Sequence, residues 1–140
     1  MKTTSFPPSE PPFKPVEEPW LREGTALFAL RGKAALKVEP LAAAVFVSKS
    51  SFYHHFADLD VFLHRLIEYH LFRCGEIAKK ERRASSIDPE LLDVLMEHRL
   101  DLLFHRQLRF QKHEPGFDAA VRASERITGA PFIDLSQIGR

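Results

Sequence analysis

The stretch Leu41–Phe56, LAAAVFVSKSSFYHHF, constrains this chain more than any other. It reads as a short apolar helix, a tight turn and a second short helix. Pro40 is tolerable only in the first turn of a helix, where its missing N–H costs little. The first helix therefore starts within a residue or two of Val38 and runs to about Val45. Leu41, Ala42 and Val45 face inward, and the alanine run lets another helix approach closely. Ser48 suits an N-cap, its hydroxyl able to accept a free backbone N–H. The next helix runs from about Ser48 to His54 or His55. Phe52 and Phe56 lie four apart and face the core, while Lys49, Ser50, Tyr53 and His54 point elsewhere. A small helix with a polar outer side, delivered by a turn from another helix, is the layout that reaches into the major groove of DNA.

The other segments follow the same periodicity. A first helix is expected from about Pro19 to Arg31, with Glu17 and Glu18 near the positive end of its dipole. Its seam is Leu21, Thr25 and Phe28, and Gly32 is its stop. A long helix, capped by Asp58, is expected to about Arg83. Val61, Phe62, Leu66, Tyr69, Phe72, Ile77 and Ala78 keep its apolar period, and Lys79–Arg83 suits the negative pole. Ser85–Glu90 breaks the chain. Asp88 as N-cap with Pro89 at the first helical position predicts a helix over Pro89–Leu108. Leu91, Leu92, Leu95, Met96, Leu100, Leu103 and Phe104 form its apolar face. A last helix is expected over Phe117–Thr128, ended by Gly129 and Pro131; Phe132–Arg140 carries no assignment. With no internal repeat and no convincing strand pattern, the expected fold class is all-α.

Composition sets bounds. Of 140 residues, 44% are hydrophobic, enough for a real core. Twelve Phe against two Tyr and one Trp point to buried rings. The formal net charge is only +1, so DNA affinity must come from a local patch. Six of the ten prolines lie in Met1–Pro19, and residues 1–18 read as a flexible Pro-rich arm. Met1–Glu18 has no apolar core of the signal-peptide kind. No apolar run nears the roughly 20 residues of a membrane span. The expected location is the cytoplasm, away from membranes. The single cysteine, Cys74, forms no internal disulfide and reads as a buried, inert thiol.

Several residues now fall into one pattern. Gly32 is followed by Leu41-Ala42, then by Val47–Phe56, then by Asp58-x-Asp-x-Phe62. In order, spacing and residue type this resembles the DNA-binding domain of TetR-family transcriptional regulators, over about Trp20 to Leu66. The resemblance implies a three-helix helix-turn-helix domain over residues 19–60. It also implies a short helical ligand-sensing and dimerisation region over 61–140, possibly incomplete. It implies a ligand-responsive repressor that binds a two-fold symmetric double-stranded operator as a homodimer. By position, Lys49, Ser50 and Ser51 are implied in base and phosphate contacts, Tyr53 in backbone phosphate contact, and His54 and His55 in further contact. Ser48 caps the helix, its N-terminal amides able to face a phosphate, and Lys37 completes the set. Three positions depart from the family pattern: Phe46 stands at the turn glycine, Leu59 at a basic position, and Glu39 near the start of the second helix.

A small-molecule effector pocket is implied between the long helix and the last one. Met96, Arg99, Leu103, Phe104 and Phe110 are its candidate residues, although such a stripe is more often plain core. His98, Asp101 and His105 share a helix face. With one further group they can ligate a metal, but no fourth ligand is indicated and the bland alternative is a polar face. No metal and no cofactor is expected. Nor is catalysis: there is no Gly-rich phosphate loop, and Ser51 and His54 lack an orienting third group. The reading from another class is a helical protein-interaction module related to the family that has lost DNA binding.

Overall fold

A computed structural model of the chain describes residues 10–128. The expectations for residues 1–9, for Gly129 and Pro131, and for Phe132–Arg140 lie outside the described residues. Within them are seven α-helices and no strand: α1 Glu18–Arg31, α2 Val38–Val45, α3 Lys49–His55, α4 Leu59–Arg83, α5 Leu92–Glu97, α6 Arg99–Phe110 and α7 Phe117–Thr128. None of them is long and apolar enough to cross a membrane.

Helix α1 ends where Gly32 takes φ +82° and donates its N–H to the Phe28 carbonyl. A side chain there would be strained, and its Cβ would fall 2.6 Å from Gln111 Nε2. The corner is tied to the end of α6 and the start of α7: Lys33 Nζ pairs with Glu114 at 2.8 Å, and Gln107 Nε2 donates to the Ala29 carbonyl at 3.4 Å. Two apolar clusters make the core: a smaller one of Cys74, Ile77, Ala78, Leu95, Leu102 and Ile127, and a larger one that reaches from α1 to α7. Trp20, Leu21 and Phe28 of α1 share the larger one with Leu41, Phe52 and Phe56, with Phe62 and Leu66 of α4, and with Phe104, Leu108 and Phe117. Each such ring or branched side chain contributes about 1.5–3 kcal/mol on burial. Helix α1 reaches α4 at Gly24, where a Cβ would lie 2.7 Å from the Phe62 ring.

Several local expectations need correction, among them Leu92 and Met96 of the expected apolar face, which are 45% and 61% exposed. Val61 is 42% exposed and does not join the α4 seam. The helix expected over Pro89–Leu108 is broken at His98, whose backbone leaves the helical region (φ −106°, ψ 25°). There the buried His98 ring sits 2.9 Å from Lys80 Nζ and 3.3 Å from Asp101 Oδ2. The apolar rhythm continues across the break, so periodicity alone runs through it. Asp88 does not cap the restart either. The Ser86 hydroxyl accepts from Glu90 N–H, and Glu90 in turn accepts from the Ser85 N–H and hydroxyl.

Of the Pro-rich N-terminal segment, residues 10–18 are described, and their last part packs on α4. Phe13 meets Tyr69 edge-on at 5.1 Å, and Arg65 donates to the Pro12 carbonyl and pairs with buried Glu17 at 2.7 Å.

Candidate nucleic-acid interface

Helix α2 begins at Val38, with Pro40 in its first turn, and ends on a left-handed residue. That residue is Phe46, at φ 65° and ψ 40°. Its N–H donates to the Ala43 carbonyl at 3.1 Å, and the Val47 N–H donates to the Ala42 carbonyl at 3.0 Å. This pair of bonds is the Schellman arrangement, which glycine fills most readily. A residue with a Cβ pays about 1–2 kcal/mol for that conformation. Phe46 recovers none of it by burial, being 93% exposed.

Two residues on, Ser48 precedes α3 as its N-cap, with extended backbone. Its hydroxyl makes no capping bond to a backbone N–H; it lies 2.9 Å from the Ser50 hydroxyl and 3.4 Å from that of Ser51. What holds α3 is its inner face. Phe52 and Phe56 are both fully buried. Phe52 packs edge-on to Trp20 at 5.6 Å and to Phe62 at 5.6 Å, and Phe56 packs on Phe62 at 4.9 Å. Such ring pairs add about 0.5–1.5 kcal/mol beyond their burial. A seven-residue helix, marginal alone, is therefore fixed by aromatic anchors on α1 and α4.

The outer face carries the sequence-derived candidates. Lys49, Ser50, Tyr53 and His54 are exposed and lie together on α3. Ser51 and His55 are half-buried, the latter with its ring 6.2 Å from Trp20. Lys37 is exposed at the N-cap of α2. One partner escaped sequence reasoning: Lys49 Nζ pairs with Glu39 Oε1 at 2.8 Å, across the turn. That hydrogen bond and the opposed charges raise the Lys49 pKa and lower that of Glu39. The ten-residue separation gives no helical spacing from which to foresee it. Glu39 thus occupies the cation that the outer face would offer to a phosphate.

The five candidate pocket residues are not brought together. Phe104 is core, Leu103 is half-buried against it, and Met96 is 61% exposed. Arg99 borders a cavity of about 360 Å³ with Arg22, Tyr69 and Arg73, whereas Phe110 borders a separate one of about 220 Å³. A half-open cavity of about 690 Å³ lies between α4 and α7, lined by Leu63, Ile67, Leu71, Ala120 and Ala123 with Lys33 at its rim. His98, Asp101 and His105 all lie inside; His98 and Asp101 meet, 3.3 Å apart beside Arg73, and His105 turns to α7. Asp101 takes two hydrogen bonds from Arg73, at 2.9 and 3.1 Å, while His105 lies 3.1 Å from the Ser124 hydroxyl. No group of three or more metal-ligating side chains stands together among the described residues.

Comparison with protein families finds that the model described as "Bacterial regulatory proteins, tetR family" matches residues 21–66. Neither the curated proteins nor the solved structures compared with the chain give a match. The matched segment runs from Leu21 in α1 through α2, the Phe46 turn and α3 to Leu66 in α4.

Proposed function

We propose, from the premise that residues 21–66 are the TetR-family N-terminal helix-turn-helix domain of a transcriptional regulator, that the protein is a ligand-responsive repressor holding a two-fold operator as a homodimer. The observation that carries the DNA-binding part is α3 itself. Its inner face is locked by Trp20, Phe52, Phe56 and Phe62, and its outer face exposes Ser50, Tyr53, His54 and the Lys49 that Glu39 holds, all on the side that would meet a groove. A chain with net charge +1 and so small a basic set needs two copies to hold duplex DNA. Their recognition helices then sit about 34 Å apart, one helical turn of the duplex. Ser48, Ser51, His55 and Lys37 supply the flanking contacts.

The ligand-responsive part rests on the cavity between α4 and α7. The Lys33–Glu114 pair ties the corner after α1 to the start of α7, beside that cavity. A ligand acts by binding one spacing of the two recognition helices better than the other, with α4 as the lever.

Lys49→Ala and Tyr53→Ala are expected to abolish retention of a selected duplex in a gel-shift assay while the melting curve is unchanged. Wild-type retention by both variants would sink the assignment. The Glu39–Lys49 pair favours a second reading, a helical interaction module of this family without a DNA grip. A strict monomer by light scattering, with no duplex retained, supports that reading instead.

A further inference from the structure

Phe46 is the only non-glycine residue with positive φ among the described residues, and its ring is almost wholly in water. Both features are unfavourable in the free protein: the left-handed backbone crowds Cβ, and an exposed ring forgoes burial. The fold does not need the side chain. The turn uses only the backbone of residue 46, through its N–H to the Ala43 carbonyl and its left-handed geometry, and glycine supplies both. The ring is also outside the aromatic cluster that anchors α3. A strained, exposed residue of this kind points to a bound state in which the ring is covered.

The location says what covers it. Phe46 stands two residues before Ser48 and three before Lys49, and its neighbour Val47 is 43% exposed. Phe46 and Val47 therefore form an exposed apolar pair at the turn that leads into α3. We infer that Phe46 is a specificity-determining residue whose ring packs on the 5-methyl group of a thymine in each half-site; this rests on the DNA-binding reading above. Phenylalanine has no hydrogen-bonding group with which to read a base edge, and thymine is the one base whose major-groove edge carries an apolar group. Lys49, Ser50, Tyr53 and His54 all read polar atoms or phosphate. Phe46 adds the discrimination they lack.

The test uses the full chain and a duplex selected from a random-sequence pool. Each thymine of that duplex is replaced singly by deoxyuridine, which removes the methyl and keeps every hydrogen-bonding group. One replacement in each half-site is expected to weaken wild-type binding about fourfold, the worth of one buried methyl. Phe46→Gly and Phe46→Asn, both compatible with the left-handed turn, lose the contact in both half-sites and are expected to bind the unsubstituted duplex at least about fifteenfold more weakly and to ignore that replacement. The slope of log affinity against log salt stays at the wild-type value, because no phosphate contact is lost. Phe46→Gly also melts higher than wild type. The inference is overturned if both variants keep wild-type affinity and the wild-type uracil profile. It is equally overturned if their salt slope drops, which would mean that α3 has been displaced, or if Phe46→Gly changes only self-association. If wild type retains no duplex from the pool, the DNA-binding reading itself fails and takes this inference with it.

Discussion

Glu39 and His70 show how single residues set the behaviour of this protein. Glu39 holds Lys49 at 2.8 Å and carries a negative charge to the face where a phosphate would lie. Glu39→Gln removes both effects. Duplex affinity is expected to rise about threefold at low salt and to return toward wild type as salt increases, in keeping with an exposed pair. His70 lies fully buried, stacked on Phe104 at 4.4 Å and 3.5 Å from the Cys74 thiol. Burial pushes its pKa down from 6.5 to about 3. Above pH 6.5 it is neutral in both folded and unfolded chains and adds no pH dependence. Below 6.5 the unfolded chain takes up a proton that the folded chain refuses, so the folded-to-unfolded ratio falls about tenfold per pH unit, down to about pH 3. His70→Leu is expected to flatten denaturant-measured stability between pH 6.5 and 4.5 by about one proton. The fall at lower pH remains, because Asp101 opposes the cost of its own burial with hydrogen bonds from His98 and Arg73 that keep its carboxyl below the usual range. The chemistry of these residues is legible in the sequence; their partners are not. Nothing local says that His70 stacks on a ring 34 positions away.

At the scale of elements, caps and close approaches decide where helices begin and how near they come. Asp58 Oδ1 accepts the Val61 N–H at 2.8 Å and starts α4. Asp58→Ala is expected to cost about 1 kcal/mol, read as a lower melting temperature. Gly24 lets α1 approach Phe62 of α4 so closely that a methyl group would clash. Gly24→Ala is expected to cost about 1–3 kcal/mol in a denaturant titration, despite the better helix propensity of alanine. The bounds of α2 match the expected Val38–Val45, because Pro40 and the turn after Val45 are local signals. The single helix expected over Pro89–Leu108 is instead two, because His98 is drawn inward by Lys80 and Asp101. Ser86 displaces Asp88 as the cap before α5 for a similar reason: Glu90 closes a small network with Ser85 that residue type alone does not announce.

At the scale of the whole molecule, one apolar cluster joins the helix-turn-helix segment to α6 and α7, and an ion pair between half-buried Arg73 and buried Asp101 pins α4 to α6. Asp101 is 3% exposed and receives the Arg73 guanidinium at two oxygens. Arg73→Met leaves that carboxylate without its cation and is expected to cost about 3 kcal/mol by chemical denaturation. The double variant Arg73→Met with Asp101→Leu is expected to recover most of the loss, since neither charge then remains to be compensated. The amino-acid sequence by itself determined the all-α class, the short helix–turn–helix over residues 38–55, the inward Phe52 and Phe56, and the outward Lys49, Ser50 and Tyr53. Helical period, proline position and apolar pattern are local, and they act before any distant contact forms. Only the tertiary structure decided that Lys49 meets Glu39, that His98 breaks a helix, that the candidate pocket residues scatter, and that the ring of Phe46 stands uncovered at the turn. Those outcomes depend on which surfaces lie opposite one another once the core has closed, and no spacing along the chain carries that information.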